Sequence, residues 1–451
     1  MRKEDRSRPN TKLCEQLISF TNIHEAVKKV MQNKGSAGID GMTVNELPTY
    51  FEAHWKEIRE QIVTRTYKPQ PVLRVEIPKD NGTVRLLGIP TAVDRVIQQA
   101  LVQVLTPVFE PTFSEYSFGF RPDRSAEDAV RLAQTYMSEG YKHVVDLDLS
   151  KFFDTVNHDI LMGLIDKYMD DKDVRRLIYV FLKSGVMTNG SMMATALGTP
   201  QGGPLSPLLS NIYLTPYDKE LESRGLKFVR YADDCNIFTN SKRSSYRVRD
   251  NAKSYLERKL KLKVNMEKTE ARRAYGSTFL GFTFMTYGKR GKLGMTIPQK
   301  KKLRKLEDRI RLITKRNRGV SIEVVIRELN SILRGWIGYF ARSAIKGYLT
   351  RLMEWIRRRL RQYLWKQWKN GENRRHRLRQ LGVQEWSLEK WKLGSNSYWK
   401  MAGAMNYLIS NESIHGRFGL MDILGYYNKL HAERMERDGI VLEFRYNSLF
   451  G

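Results

Sequence analysis

The strongest constraint on this chain is where it sets acids among strand-forming residues. The stretch Val144-Val-Asp-Leu-Asp-Leu-Ser-Lys-Phe-Phe-Asp154 begins as an apolar strand, yet Asp146 and Asp148 alternate with Val and Leu. A side-chain period of two puts both acids on the face opposite Val145, Leu147 and Leu149. A carboxylate on a central strand is costly unless it is paired or binds metal. The second stretch, Phe228-Val-Arg-Tyr-Ala-Asp-Asp-Cys-Asn-Ile-Phe238, reads as strand, tight turn, strand, with Asp233 and Asp234 at the tip. Asp is a common turn residue, so this pair alone suits a plain turn. Adjacent carboxylates also repel, and a divalent metal is the simplest group to hold them.

Length bounds the organisation. A chain of 451 residues exceeds one compact core and points to two to four domains. No apolar run reaches membrane-span length, and Met1-Arg-Lys-Glu-Asp-Arg6 lacks the apolar core of a signal peptide. A cytoplasmic protein without a membrane partner is expected. Cys14 and Cys235 are the sole cysteines, which excludes a disulfide framework and a Cys-rich zinc module. The net charge is +29, and residues 300–320 and 351–380 carry +8 and +9 of it. Positive charge held in stripes points to a polyanion, hence nucleic acid.

Other segments supply surroundings for the acids. A helix is expected around 13–32, followed by a loop at 33–41 with three glycines, which alone is only a turn. Val72–Ile77 reads as a strand, and Lys79-Asp-Asn-Gly-Thr-Val-Arg85 as a hairpin turn that throws Lys79 and Arg85 onto neighbouring strands. Two such cations suit a triphosphate, or form a solvated hairpin. A helix starts after Pro90, and Ser125 with Asp128 forms a capping pair for another. Gly198-Thr-Pro-Gln-Gly-Gly-Pro-Leu-Ser-Pro207 is a glycine and proline elbow opening into an apolar helix, with Gln201 at the bend. Glycines there permit close backbone approach to a ligand. Residues 246–262 read as a helix and 279–284 as a single final strand. Beyond 300 the chain is helical and basic, its aromatics at core spacing and its cations forming a nucleic-acid face.

Together, Asp148 on its strand and Asp233 and Asp234 on the hairpin can converge if the strands lie antiparallel side by side. Three carboxylates can hold two Mg²⁺ ions, with Mn²⁺ as a substitute. One ion activates a primer 3′-hydroxyl, and the other clamps a triphosphate and its leaving pyrophosphate. The reaction is an in-line nucleotidyl transfer that needs positioning and charge neutralisation more than a protein nucleophile.

These motifs resemble those of bacterial group II intron reverse transcriptases (maturases). The likeness rests on Tyr231-Ala-Asp-Asp234, Phe118-Gly-Phe-Arg-Pro122, Asp148-Leu-Ser-Lys-Phe-Phe-Asp154, the elbow, Leu280-Gly-Phe282 and Arg334-Gly-Trp-Ile-Gly-Tyr-Phe340, in family order. The resemblance implies an α+β right-hand polymerase, with fingers and palm on antiparallel sheet and then an α-helical thumb/maturase domain. It divides the chain into an N-terminal extension at 1–57, fingers and palm at 58–285, thumb at 286–370 and a basic DNA-binding region at 371–451. It implies that Asp148, Asp233 and Asp234 are the metal ligands, with Asp146 outside the triad. Lys79 and Arg85 match residues that grip the dNTP, Phe153 matches the sugar gate, and Gln201 the residue beside the nascent pair. Lys268 matches a cation near the triphosphate. The implied partners are group II intron RNA, an RNA template with a DNA primer, target DNA and dNTPs; the sequence defines no oligomeric state. The resemblance adds a bacterial setting, with nucleoid association through the charge. No cysteine follows Cys235, so the type lacking the C-terminal endonuclease is expected. The alternatives are a splicing cofactor without polymerase activity and a domesticated reverse transcriptase in repair or phage defence.

Overall fold

A computed structural model describes residues 13–78, 82, 84–188, 191–193, 198, 202–286, 294–394 and 397–437. The chain separates into two compact units, Met1–Ala274 and Tyr275–Gly451.

The first unit is organised on a four-stranded antiparallel sheet, in the order Lys227–Tyr231, Asp234–Thr239, His143–Leu147, Glu270–Arg273. The alternation in the sequence decides which face goes inward. Val145, Leu147 and Ile237 share one face and join the main core with Leu256, Leu260 and Leu209. Val144, Asp146, Asn236 and Phe238 share the other. Its far end is covered by the helix Ala126–Ser138, whose Tyr136 ring lies 5.5 Å from that of Phe238. The acids occupy the uncovered end.

Local chemistry sets the helix starts. Thr91 caps Ala92–Phe109, and Ser125 with Asp128 completes the expected capping box. The helix expected around 13–32 is two, Leu13–Leu17 and Phe20–Gln32. Ser19 sits extended between them, and its hydroxyl accepts from the Asn22 amide. A Ser hydroxyl that caps a new helix competes with continuing the old one.

A second sheet of this unit places Val72–Pro78 between Val84–Ile89, antiparallel, and Val186–Thr188, parallel. The elbow packs near it. A Cβ on Gly202 would meet the Gly88 carbonyl oxygen at 2.5 Å, and one on Gly203 would meet the Gln98 side chain at 2.2 Å. These glycines let the chain approach itself.

In the second unit the strand expected over 279–284 is instead a tight hairpin. Thr278–Phe279 pairs antiparallel with Phe282–Thr286, with Phe279 opposite Phe282. Leu280 and Gly281 turn the chain at φ values of 50° and 85°. Two left-handed residues between paired strands make the turn that matches strand twist, and the apolar Phe-Leu-Gly-Phe composition conceals it. Helices Lys300–Ile313, Ile322–Phe340 and Lys346–Gln367 follow. Ile322, Val325, Ile326, Leu329, Leu333 and Ile337 form a buried stripe on the second of them, and Phe340 packs on Phe282 with centroids 4.9 Å apart. No helix among the described residues is long and apolar enough to cross a membrane.

The basic helices do not present all their charge outward. Arg361 is buried and donates to the Ile409 carbonyl and to Asn411. Arg374 is fully buried, lies 4.6 Å over the Trp365 ring and donates to the Trp365 and Leu393 carbonyls. Trp355 lies between Arg311 and Arg359. Arginine is suited to this: its apolar stem packs and its planar fork stacks on rings. Arg374→Met is therefore expected to destabilise the second unit by about 2–4 kcal/mol, through lost charge-assisted hydrogen bonds and cation–π contact. Thermal melting checks the loss.

Candidate active site

The site is assembled by register. Leu147 lies opposite Cys235 across the antiparallel pair. One residue further along each strand brings Asp148 against Asp234, on the same face as Asp146 and Asn236. The hairpin closes with Tyr231 opposite Asp234, leaving Ala232 and Asp233 as a two-residue loop. Ala232 has a φ of 58°, a left-handed conformation that costs a non-glycine residue energy.

A buried cluster that sequence reasoning missed holds that loop. Arg230 and Asp218 are 1% and 0% exposed. The guanidinium donates through Nε and Nη2 to both Asp218 oxygens at 2.8 and 2.6 Å. Its Nη1 donates to Asn211 Oδ1 at 3.0 Å and to the Ala232 carbonyl at 2.8 Å. Burial pushes the Asp218 carboxyl upward, and Arg230 opposes that shift. Part of the signal was available: Arg230 interrupts a strand of Phe228, Val229 and Tyr231, and Asp218 follows the apolar residues Ile212, Tyr213, Leu214 and Tyr217 in the helix Ser206–Ser223.

Electrostatics gather the acids. The Asp234 carboxyl is pushed up to about 7 by the protein packed around it and by the charges of Asp233, Asp146 and Asp148, with Lys268 pulling it down. Its surface is nonetheless open to solvent, so the repulsion is the share that a bound cation would relieve. Asp146 is occupied, 2.7 Å from Arg272 Nη2. Burial raises its carboxyl and Arg272 lowers it. Asp148 is 3.5 Å from Lys268 Nζ, and its carbonyl accepts from the Asn265 amide at 2.9 Å. The turn at 265–269 thereby presents Lys268, itself 64% exposed at the side chain.

Among the described residues, no three His, Cys, Asp or Glu side chains form a closed metal cage. The donor set still fits Mg²⁺. This ion takes oxygen ligands, binds through one or two carboxylates, and completes its shell with water and substrate phosphates.

Phe153 is half-buried on the short helix Phe152–Thr155, edge-on to Phe152 at 5.1 Å. Its carbonyl lies 2.8 Å from where a Cβ on Gly198 would be. His158 Nε2 bonds the Gly198 carbonyl at 2.6 Å, which makes that nitrogen the donor. Burial lowers the His158 imidazole, consistent with a neutral ring. Arg85 lies in the strand Val84–Ile89, its backbone opposite Ile77. Lys79 and Gln201 lie outside the described residues.

Carboxylates on a hairpin tip and on the neighbouring strand are the kind of oxygen donors that can hold a divalent metal. In keeping with this, residues 77–284 match the family Reverse transcriptase (RNA-dependent DNA polymerase). Residues 303–382 match Group II intron, maturase-specific domain. The chain is 31% identical over 325 residues to Protein YkfC of Escherichia coli (strain K12), covering 62% of this chain and 85% of that protein. It is 36% identical over 270 residues to Group II intron-encoded protein LtrA of Lactococcus lactis subsp. cremoris, covering 58% of this chain and 44% of that protein. Nuclear intron maturase 1, mitochondrial, of Arabidopsis thaliana is 35% identical over 94 residues, 21% of this chain and 13% of that protein. The match thus spans most of YkfC and less than half of LtrA. The chain belongs to the group II intron-encoded reverse transcriptase/maturase family.

Proposed function

We propose that this protein is the RNA-directed DNA polymerase of a group II intron, which binds the intron RNA, assists its splicing and copies RNA into cDNA for intron mobility. The observation that carries the catalytic part is the shared sheet face of Asp148 and Asp234, beside Asp233 at the hairpin tip. Asp148, Asp233 and Asp234 would hold two Mg²⁺ ions, which when bound supply an activated primer 3′-hydroxyl and a clamp on the triphosphate. Lys268, already beside Asp148, is placed to balance charge on the triphosphate or the leaving pyrophosphate. Lys79 and Arg85 would grip the same phosphates, and Gln201 would lie beside the nascent pair. The first unit would supply fingers and palm, with the loop at 33–41 near the template. The thumb at 286–370 and the region at 371–451 would hold RNA and DNA through their outward cations.

Extension of a DNA primer on an RNA template, with Mg²⁺ and dNTPs, tests the polymerase. Splicing of the cognate intron RNA at low Mg²⁺, with and without the protein, tests the maturase role. Splicing assistance without extension would leave a splicing cofactor and remove the polymerase reading.

Phe153 would set sugar choice. A rigid ring beneath the ribose clashes with a 2′-hydroxyl, so dNTPs are favoured over NTPs. Phe153→Val is expected to raise NTP incorporation relative to dNTP by about tenfold or more, the scale of a removed steric contact. Single-nucleotide incorporation with matched dNTP and NTP pairs measures the ratio, and an unchanged ratio removes the gate assignment.

A further inference from the structure

We propose that Phe120, together with Tyr231, forms an aromatic shelf on which the 3′-terminal nucleotide of the primer stacks. The proposal deepens the polymerase reading and rests on it for the direction of the primer. Phe120 is 53% exposed and has a φ of 60°. A bulky residue in the left-handed region is uncommon and strained, and burial does not compensate it here.

Its neighbours enforce the conformation. The Phe118 amide donates to the Arg230 carbonyl at 2.9 Å, tying this loop to the catalytic hairpin. A Cβ on Gly119 would come within 2.3 Å of the Ala232 nitrogen, so the two loops meet backbone to backbone. The Gly119 carbonyl accepts from Asn211 Nδ2 at 2.8 Å, and Asn211 also accepts from Arg230. Arg121 is buried, donating to the Ser117 carbonyl and to Glu110, each at 2.8 Å. Phe118 and Arg121 point into the protein and are pinned, which leaves Phe120 turned outward.

The ring does not face empty solvent. It lies 6.4 Å from the Tyr231 ring, inclined by 46°. Tyr231 is half-buried, pairs with Asp234 and precedes Asp233 by two residues. The exposed face of the Phe120 ring, tilted against Tyr231 beside an acidic tip, offers a sequence-tolerant surface for a nucleobase. Of the reacting nucleotides, the primer terminus carries the hydroxyl that must reach the carboxylates, so it is the occupant nearest this hairpin.

The test compares DNA primers annealed to an RNA template, ending in a normal or an abasic 3′-terminal nucleotide. Affinity without dNTPs is read by fluorescence anisotropy, and extension by single-turnover kinetics. The protein as it stands should bind the intact end about tenfold more tightly than the abasic end, the scale of one base stacked on an aromatic ring. Phe120→Ala should lose most of the preference for the intact end, and Phe120→Tyr should restore it. Phe120→Gly, which adopts the left-handed turn without strain, should melt no lower than the parent and also lose the preference. Full preference for the intact end in both Phe120→Ala and Phe120→Gly overturns the shelf. If the parent discriminates between the ends but extends neither, the polymerase reading fails while the shelf stands.

Discussion

Replacing Asp233 and Asp234 together by Ala should abolish primer extension while leaving the chain folded and no less stable at pH 8 without metal. The two outcomes share one cause. The Asp234 carboxyl is raised to about 7 by burial and by the charges of Asp233, Asp146 and Asp148. A carboxyl raised in the folded state favours folding at pH below its ordinary range, and this contribution disappears as pH rises through about 7. At pH 8 the ionised pair is a strain on the fold that only a cation relieves, so Ala at both positions removes repulsion. Extension should fall by roughly a thousandfold or more, since electrostatic stabilisation of the transferring phosphoryl group is the main catalytic contribution. Adding MgCl₂ should raise the melting temperature of the parent more than that of the variant, by linkage. Extension within tenfold of the parent would sink the assignment; collapse of the melt would show that the acids are structural.

The second large effect concerns Arg230. Arg230→Met alone leaves Asp218 charged and buried without its partner, which should cost about 3–5 kcal/mol. Asp218→Leu alone should cost a similar amount, from the stranded guanidinium. The double variant, Arg230→Met with Asp218→Leu, should recover most of that stability, because a buried pair replaced by apolar groups of similar volume is often neutral. Extension should not recover with it. The Ala232 carbonyl would have lost the Nη1 donor that holds it at 2.8 Å, and a misplaced catalytic turn costs on the order of a hundredfold in rate. Chemical denaturation and single-turnover extension on the same samples separate the two. A double variant that regains both stability and rate would make Arg230 a stability residue only.

The legible and the hidden parts of this protein differ in how far apart along the chain their causes lie. The acid-bearing strand was readable because Asp146 and Asp148 break an apolar alternation within a few residues, and the helix starts because Thr91, Ser125 and Asp128 act on their own first turns. The hairpin at 278–286 looks like one strand over 279–284 in the sequence because only φ, not composition, separates Leu280 and Gly281 from their neighbours. Charge density alone suggests that the basic stripes face outward, yet Arg361 and Arg374 turn inward onto carbonyls and Trp365.

By itself, then, the sequence determined which residues carry the acids, their strand and turn settings, and the family to which the motifs belong. Tertiary structure alone decided that Leu147 lies across from Cys235, bringing Asp148 against Asp234. It also decided that Arg230 reaches Asp218 and Asn211 beneath the Ala232 turn. A period of two chooses a face, but only pairing between strands some ninety residues apart chooses a register. A buried charge can be noticed in a sequence, but its partner is set by packing.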